Sequence, residues 1–219
     1  MKIDYFCIHH PPAKARKEYI TPFFETLDSK VTWVEYFWPQ DKAVERHPVV
    51  NSPHSANGVF LNPAELSCFF KHRYAAKMIS ESTADFGVVF EDDIEPPSFN
   101  WEDCIQLFAS ETIRQNCDIL FIGSFGGSDI NPSFQSGVYT HKNLKSRCAH
   151  CYMISPKIAK MIGYKLLSVK EPFDWQLNSI ISDLNLNVGW SLPHINQRTE
   201  KGKIPRHLWG SNQLSVKFD

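Results

Sequence analysis

The chain lacks any uninterrupted apolar run approaching about 18 residues, so it carries no candidate membrane-spanning helix. Its opening residues, Met1-Lys2-Ile3-Asp4-Tyr5-Phe6-Cys7, place an acid early and lead into no long apolar run, so no secretory signal is expected. It also lacks a charge excess. The formal net charge is -1, with no long basic or acidic block, whereas a dedicated nucleic-acid binder carries a clear positive excess. No nucleic-acid partner is therefore expected. No internal repeat and no low-complexity linker divides the sequence. The pair Gly126-Gly127 fits neither GxGxxG nor a P-loop, because no Gly-Lys-Ser/Thr follows, and the dinucleotide and ATPase readings fall with it. The six cysteines, at 7, 68, 104, 117, 148 and 151, form no disulfide-framework spacing. Most sit in apolar periodic segments, where Cys behaves as a small hydrophobe, and reduced thiols in a cytoplasmic protein are expected. Cys148-Ala149-His150-Cys151 matches CxxC, but no second ligand pair follows at zinc-site spacing.

What is present suffices for one ordinary domain. The 219 residues are 42% hydrophobic and 21% charged, the balance of a globular chain with a full core. A single domain over 1–219 is expected, with 196–219 as a polar, mobile tail. Strands are read at 2–8, 31–37, 86–90, 118–123, 137–140, 149–155 and 188–190 from their β-branched and aromatic content. Helices are read at 13–28, from 62 onward, at 101–115, 156–168 and 172–185, and 38–61 reads as a long loop. The helix at 62 is the best marked. Asn62 suits the N-cap, Pro63 the first helical position and Glu65 the acid of a capping box. Strands alternating with helices imply a mostly parallel sheet covered on both faces.

The chemistry concentrates where Phe86-Gly87-Val88-Val89-Phe90 runs into Glu91-Asp92-Asp93. A continuous apolar run is the mark of a doubly covered strand, and such strands deliver their C-terminal residues to the ligand crevice of open α/β sheets. Three adjacent carboxylates repel unless a proton or a cation relieves them, and a hard divalent metal completed by substrate phosphates does so. The alternative is a solvated acidic turn. Glu65 and His72 lie seven positions apart, two helical turns, and so share a face; a cap and a satisfied histidine are the plainer account. Asp174, in Glu171-Pro172-Phe173-Asp174-Trp175, falls in the first turn of a helix. It either complements the helix dipole or serves as a general base beside a stacking Trp175. His194 and His207 are candidate metal or diphosphate contacts. Arg198, Lys201, Lys203 and Arg206 form a positive cluster that could neutralise phosphate or stay solvated.

Five segments, taken in order, resemble glycosyltransferase family 25, which includes lipooligosaccharide and collagen galactosyltransferases. Leu61-Asn62-Pro63-Ala64-Glu65-Leu66-Ser67-Cys68-Phe69-Phe70-Lys71-His72 is similar to its Glu–Cys–His helix segment. Gly87-Val88-Val89-Phe90-Glu91-Asp92-Asp93-Ile94 resembles its acidic strand end. Ala149-His150-Cys151-Tyr152-Met153-Ile154-Ser155-Pro156, Pro172-Phe173-Asp174 and Leu192-Pro193-His194-Ile195-Asn196-Gln197 are similar to its three later motifs. The likeness covers 60 to 198 well and the first 50 residues loosely. This chain departs from the family in Lys71-His72, where the family has Ser-His, and in His9-His10-Pro11-Pro12, where it has an arginine-rich turn.

The resemblance implies a GT-A type, Rossmann-like α/β sandwich and a metal-dependent, inverting transfer of a hexose from a UDP-sugar to a glycan hydroxyl. It implies galactose as the sugar and synthesis of lipooligosaccharide, lipopolysaccharide or another surface glycan as the setting. By that resemblance Asp93, Asp92 and His194 hold Mn²⁺ or Mg²⁺. His9, Glu65, His72, Glu91 and Asp92 contact the donor, and Asp174 is the catalytic base. The partners implied are the UDP-sugar and a glycan or lipid-linked oligosaccharide. A lipid-linked acceptor would place the protein at the inner face of a membrane, aided by Trp209 and the basic tail. Two other classes use the same features: a metal-dependent phosphohydrolase, and a non-catalytic nucleotide- or glycan-binding module.

Overall fold

The structure, a computed structural model, describes residues 1–51, 61–125, 137–140 and 146–198. Gly126-Gly127, Lys201, Lys203, Arg206, His207 and Trp209 lie outside the described residues. The strands are β1 (Ile3–Ile8), β2 (Val31–Val34), β3 (Phe86–Glu91), β4 (Ile119–Phe125), β5 (Gly137–Thr140), β6 (Arg147–Ile154) and β7 (Val188–Leu192). The helices are α1 (Lys14–Phe24), α2 (Lys42–Glu45), α3 (Pro48–Asn51), α4 (Pro63–Ser80), α5 (Trp101–Arg114), α6 (Pro156–Lys165) and α7 (Phe173–Asp183). Within the stretch expected to be a loop, α2 and α3 are four-residue helices. The strand expected at 31–37 stops at Val34, and Phe37 adopts a left-handed φ of 59° that no strand continues through.

The seven strands form one sheet in the order β2-β1-β3-β6-β4-β7-β5. Parallel pairing joins β1 to β2, β1 to β3 and β4 to β7, whereas β6 runs against both β3 and β4, and β5 against β7. The architecture is a mixed, mostly parallel, Rossmann-like α/β sandwich.

Side-chain alternation along the strands builds the two layers. Tyr5, Cys7, Val88, Phe90, Leu120, Ile122 and Met153 pack with Ile20, Phe23 and Phe24 of α1 and Trp101, Ile105 and Phe108 of α5. Phe6, Ile8, Val89, Phe121, Tyr152 and Ile154 face the other way, onto Phe69, Ala75 and Ile79 of α4, Ile158 and Ile162 of α6, and Leu177 and Ile180 of α7. Helix α4 starts as its sequence prescribes. The Asn62 side chain accepts the Glu65 backbone N–H, the Glu65 carboxylate accepts the Asn62 N–H, each at 2.9 Å, and Pro63 opens the first turn.

After β7 the chain crosses the sheet end. The Ile195 N–H donates to the Ile122 carbonyl at 2.7 Å, and the Glu95 N–H donates to the Asn196 carbonyl at 2.8 Å. Ile94 and Gln197 form an isolated antiparallel bridge. Residues 196–198, expected to begin a mobile tail, are thus tied to the segment that follows β3. Gly123 makes room for this crossing. A Cβ there would lie 2.5 Å from the His150 ring, which bonds the Ile195 carbonyl through Nε2 at 3.0 Å, and 3.0 Å from that carbonyl itself.

Gly123→Ala is therefore expected to destabilise the fold by about 1–3 kcal/mol. For a chain of this size that lowers the melting temperature by roughly 3–10 °C. An unchanged melting curve would show that the crossing tolerates the added methyl group.

Candidate active site at the carboxyl ends of the parallel strands

Strand β3 divides its acidic end between the two layers. Glu91 keeps the parity of Val89 and turns to α4, while Asp92 keeps that of Phe90 and meets α1. The two carboxylates therefore have different neighbours, although they are adjacent in sequence.

Asp92 is nearly buried, at 7% exposure, and both its oxygens are engaged. Oδ2 lies 2.8 Å from His9 Nδ1 and accepts the His10 N–H at 3.2 Å, while Oδ1 accepts from the Arg16 guanidinium at 3.0 Å. Burial pushes the Asp92 pKa up, but the bonds from His9, His10 and Arg16 outweigh it and hold the group below the ordinary carboxylate value. Asp92 thus anchors the His9-His10 turn at the end of β1.

Glu91 and Asp93 are pushed the other way. Each keeps 21% of its side chain accessible, so both line a crevice rather than the core. Burial, then the charges of Asp174 and Asp92, raises Glu91 to about 7. Burial, then the charge of Glu91, raises Asp93 to about 7. Asp93 Oδ2 accepts from the Gln197 side-chain amide at 2.9 Å, and its backbone carbonyl accepts the Arg198 N–H. Its other oxygen, Oδ1, is buried without a hydrogen-bond partner. The same holds for His9 Nε2 and His10 Nδ1. Buried polar atoms are rarely left unpaired, so three at one strand end point to something the polypeptide alone does not supply.

Helix α4 lays a second polar group against Glu91. The buried His72 ring stacks on Phe173, with centroids 3.9 Å apart and planes 2° from parallel. Its Nδ1 is 3.1 Å from the Tyr152 hydroxyl and its Nε2 is 3.1 Å from Glu91 Oε1. Burial lowers the His72 pKa to about 3, so the ring is neutral. With hydrogen on Nε2, it donates to Glu91 and accepts the Tyr152 hydroxyl proton. The Cys68 thiol, one turn earlier, donates to Glu91 Oε1 at 3.9 Å. Lys71, on the same turn, is 3% exposed, and burial lowers its pKa. None of the described residues forms a hydrogen bond or ion pair with its ammonium. Its charge is felt at His10.

Asp174 sits in the first turn of α7, where its Oδ2 accepts the Cys148 N–H at 3.0 Å. Cys148 adopts a left-handed φ of 72°, a strained conformation for a residue with a Cβ. Asp174 bears electrostatically on Glu91, His72 and Cys68. Trp175 beside it is 51% exposed.

The remaining expected residues sit apart. Glu65 has its carboxylate in the capping box at the start of α4. His194 is exposed, following the Leu192-Pro193 cis peptide. Among the described residues, the one group of three or more His, Cys, Asp or Glu whose ligand atoms lie within 4.8 Å of one another is Cys68, His72 and Glu91. Asp92, Asp93 and His194 form no such group. Sequence reasoning passed over His10, Arg16, Cys68, Lys71, Tyr152 and Gln197. The signal for Cys68 and Lys71 was present, since Cys68 and His72 are spaced i, i+4 on one helix face and Lys71 interrupts an apolar stripe.

A hard divalent cation can be tested against these atoms. Asp93 Oδ1 is a buried carboxylate oxygen without a hydrogen-bond partner, the donor type such a cation needs, and one or two protein carboxylates suffice when diphosphate and water complete the shell. Asp93 fits. Asp92, with both oxygens engaged, would have to release Arg16 or His9 first.

No family model matches the chain, and no curated protein matches it. Among solved structures, it is similar to CMP:2-keto-3-deoxy-manno-octonic acid synthetase complexed with CTP. That match has 11% identity over 87% of this chain and 89% of that chain, with a TM-score of 0.46. Among the described residues, no helix is long and apolar enough to cross a membrane.

The raised Asp93 pKa sets a stability trend for metal-free protein. A carboxylate near 7 in the fold and near 4 when unfolded stabilises fully below about 4, and that contribution is lost as pH rises through about 7. Asp93→Asn removes the dependence. In chelator, the variant's stability advantage over the parent is expected to widen by about 1–2 kcal/mol between about pH 5 and about pH 8. Parallel pH profiles of the two melting temperatures would show that Asp93 is not held in a destabilised charged state.

Proposed function

We propose that this chain is a metal-dependent, inverting glycosyltransferase. It moves a hexose, galactose by preference, from a UDP-sugar to a glycan hydroxyl. Its setting is the cytoplasmic assembly of a lipooligosaccharide, lipopolysaccharide or other surface glycan, with lipid-linked acceptors reached at the inner membrane face. The observation that carries this reading is the buried, unpartnered Asp93 carboxylate oxygen just past the end of β3, beside the raised carboxyl group of Glu91. The order of the five sequence segments supports it.

In this reading Asp93 holds the divalent cation, with Asp92 and His194 as the further expected ligands. The cation, when bound, supplies Lewis-acid stabilisation of the departing diphosphate. Glu91, His72, His9 and Glu65 are the expected donor contacts. His72 is suited to orienting Glu91, because its neutral ring is fixed by Phe173 and Tyr152. Asp92 positions the β1 turn through His9 and Arg16. Asp174 accepts the proton of the acceptor hydroxyl as that oxygen attacks the anomeric carbon. Its Oδ2 is held by the Cys148 N–H in the first turn of α7. Trp175, half exposed beside it, offers an apolar face to the acceptor sugar.

The test is release of UDP from a panel of UDP-sugars, with Mn²⁺ and with chelator, in the presence of glycan acceptors. Turnover of one donor that stops in chelator is expected. Asp174→Asn should lower kcat by roughly 10²–10⁴-fold, the range for loss of a general base, while leaving the Kd for UDP within about threefold. Full activity in Asp174→Asn would remove it as the base. Failure of every UDP-sugar both to bind and to turn over would overturn the reading itself.

A further inference from the structure

We propose that Cys68, His72 and Glu91 form a second cation site, one that takes a borderline transition metal of the Zn²⁺ class. It is chemically distinct from the oxygen site at Asp93 and does not rest on the glycosyltransferase reading.

The placement follows from the elements. Cys68 and His72 are one turn apart on α4, so they project from the same face. Glu91 approaches from the end of β3. Glu91 Oε1 lies 3.1 Å from His72 Nε2 and 3.9 Å from Cys68 Sγ, and all three ligand atoms fall within 4.8 Å of one another. A tetrahedral ion with bonds of about 2.0–2.1 Å to N and O and about 2.3 Å to S needs ligand separations of roughly 3.3–3.6 Å. The Glu91 separations from His72 and Cys68 are each within a few tenths of an ångström of those values, and the third pair lies within 4.8 Å.

The support around the ligands is that of a built site. A metal-binding histidine characteristically gives its second nitrogen a fixed partner, which sets its tautomer. Here the Tyr152 hydroxyl lies 3.1 Å from His72 Nδ1, and Phe173 clamps the ring face. On coordination the His72 Nε2–H gives way to the tautomer with hydrogen on Nδ1, which then donates to the Tyr152 oxygen. The Cys68 proton leaves to solvent as its sulfur coordinates as the thiolate. Two anionic ligands offset the dication. Cys68 and Glu91 are only partly buried, so the fourth position faces the crevice and can take water or a substrate oxygen. A thiolate–imidazole–carboxylate set favours Zn²⁺ or Co²⁺ over Mg²⁺ and Mn²⁺, which prefer all-oxygen shells.

The test is titration of the metal-stripped full chain with Co²⁺, followed by absorption. One equivalent should produce a thiolate-to-cobalt charge-transfer band with tetrahedral visible bands, displaced by Zn²⁺ and not by excess Mg²⁺. Cys68→Ser should abolish the charge-transfer band, while Cys104→Ser, on α5, should retain it. Tyr152→Phe should weaken Zn²⁺ binding by roughly tenfold through the loosened histidine. Asp93→Asn should leave Zn²⁺ affinity within about threefold, so loss of the oxygen site and loss of this one are separable. Absence of a thiolate band in the parent protein, or its persistence in Cys68→Ser, would overturn the proposal.

Discussion

Mutual repulsion among carboxylates at the end of β3 is the constraint around which the rest of the site is arranged. Glu91, Asp92, Asp93 and Asp174 converge where burial weakens solvation, and they are handled in three ways. Asp92 is ionised and bonded on both oxygens by His9, His10 and Arg16. Glu91 and Asp93 are held at the edge of ionisation. Asp174 is steadied by a backbone N–H at a helix N-terminus. Repulsion in such a cluster is relieved by a proton or by a cation.

The scaffold makes the convergence possible. Parallel pairing of β1 with β3 puts the His9-His10 turn beside the acidic end in matching register, with Ile8 opposite Glu91. Antiparallel β6 delivers Tyr152 from its middle to His72 and Cys148 from its start to Asp174. The segment after β7 crosses back to grip Asp93 through Gln197. Four chain regions far apart in sequence thus meet at one end of the sheet, where open α/β folds place their ligands.

Much of the fold was legible beforehand because its signals are local. The capping box of α4 and the apolar strand running into the acids depend on residues a few positions apart. So does the continuous apolar run that marks β3 as buried on both faces. Candidate residues were legible for the same reason, since Glu91, Asp92, Asp93 and Asp174 sit at element ends that the pattern marks. The reversal of β6 was not visible, because a strand's direction is set by the neighbours it pairs with and not by its own residues.

The sequence alone determined the α/β class, the start of α4 to within a residue, and the position of an acidic strand end at the carboxyl side of the sheet. Hydrophobic period and capping chemistry are properties of neighbouring residues, and they need no partner to be read. Only the tertiary structure decided which carboxylate meets which neighbour. Alternation sends Glu91 to Cys68 and His72 and sends Asp92 to His9 and Arg16, while the crossing segment brings Gln197 to Asp93. Those pairings join residues 19 to 104 positions apart, and only the packing of helices on the two faces of the sheet brings them within bonding distance.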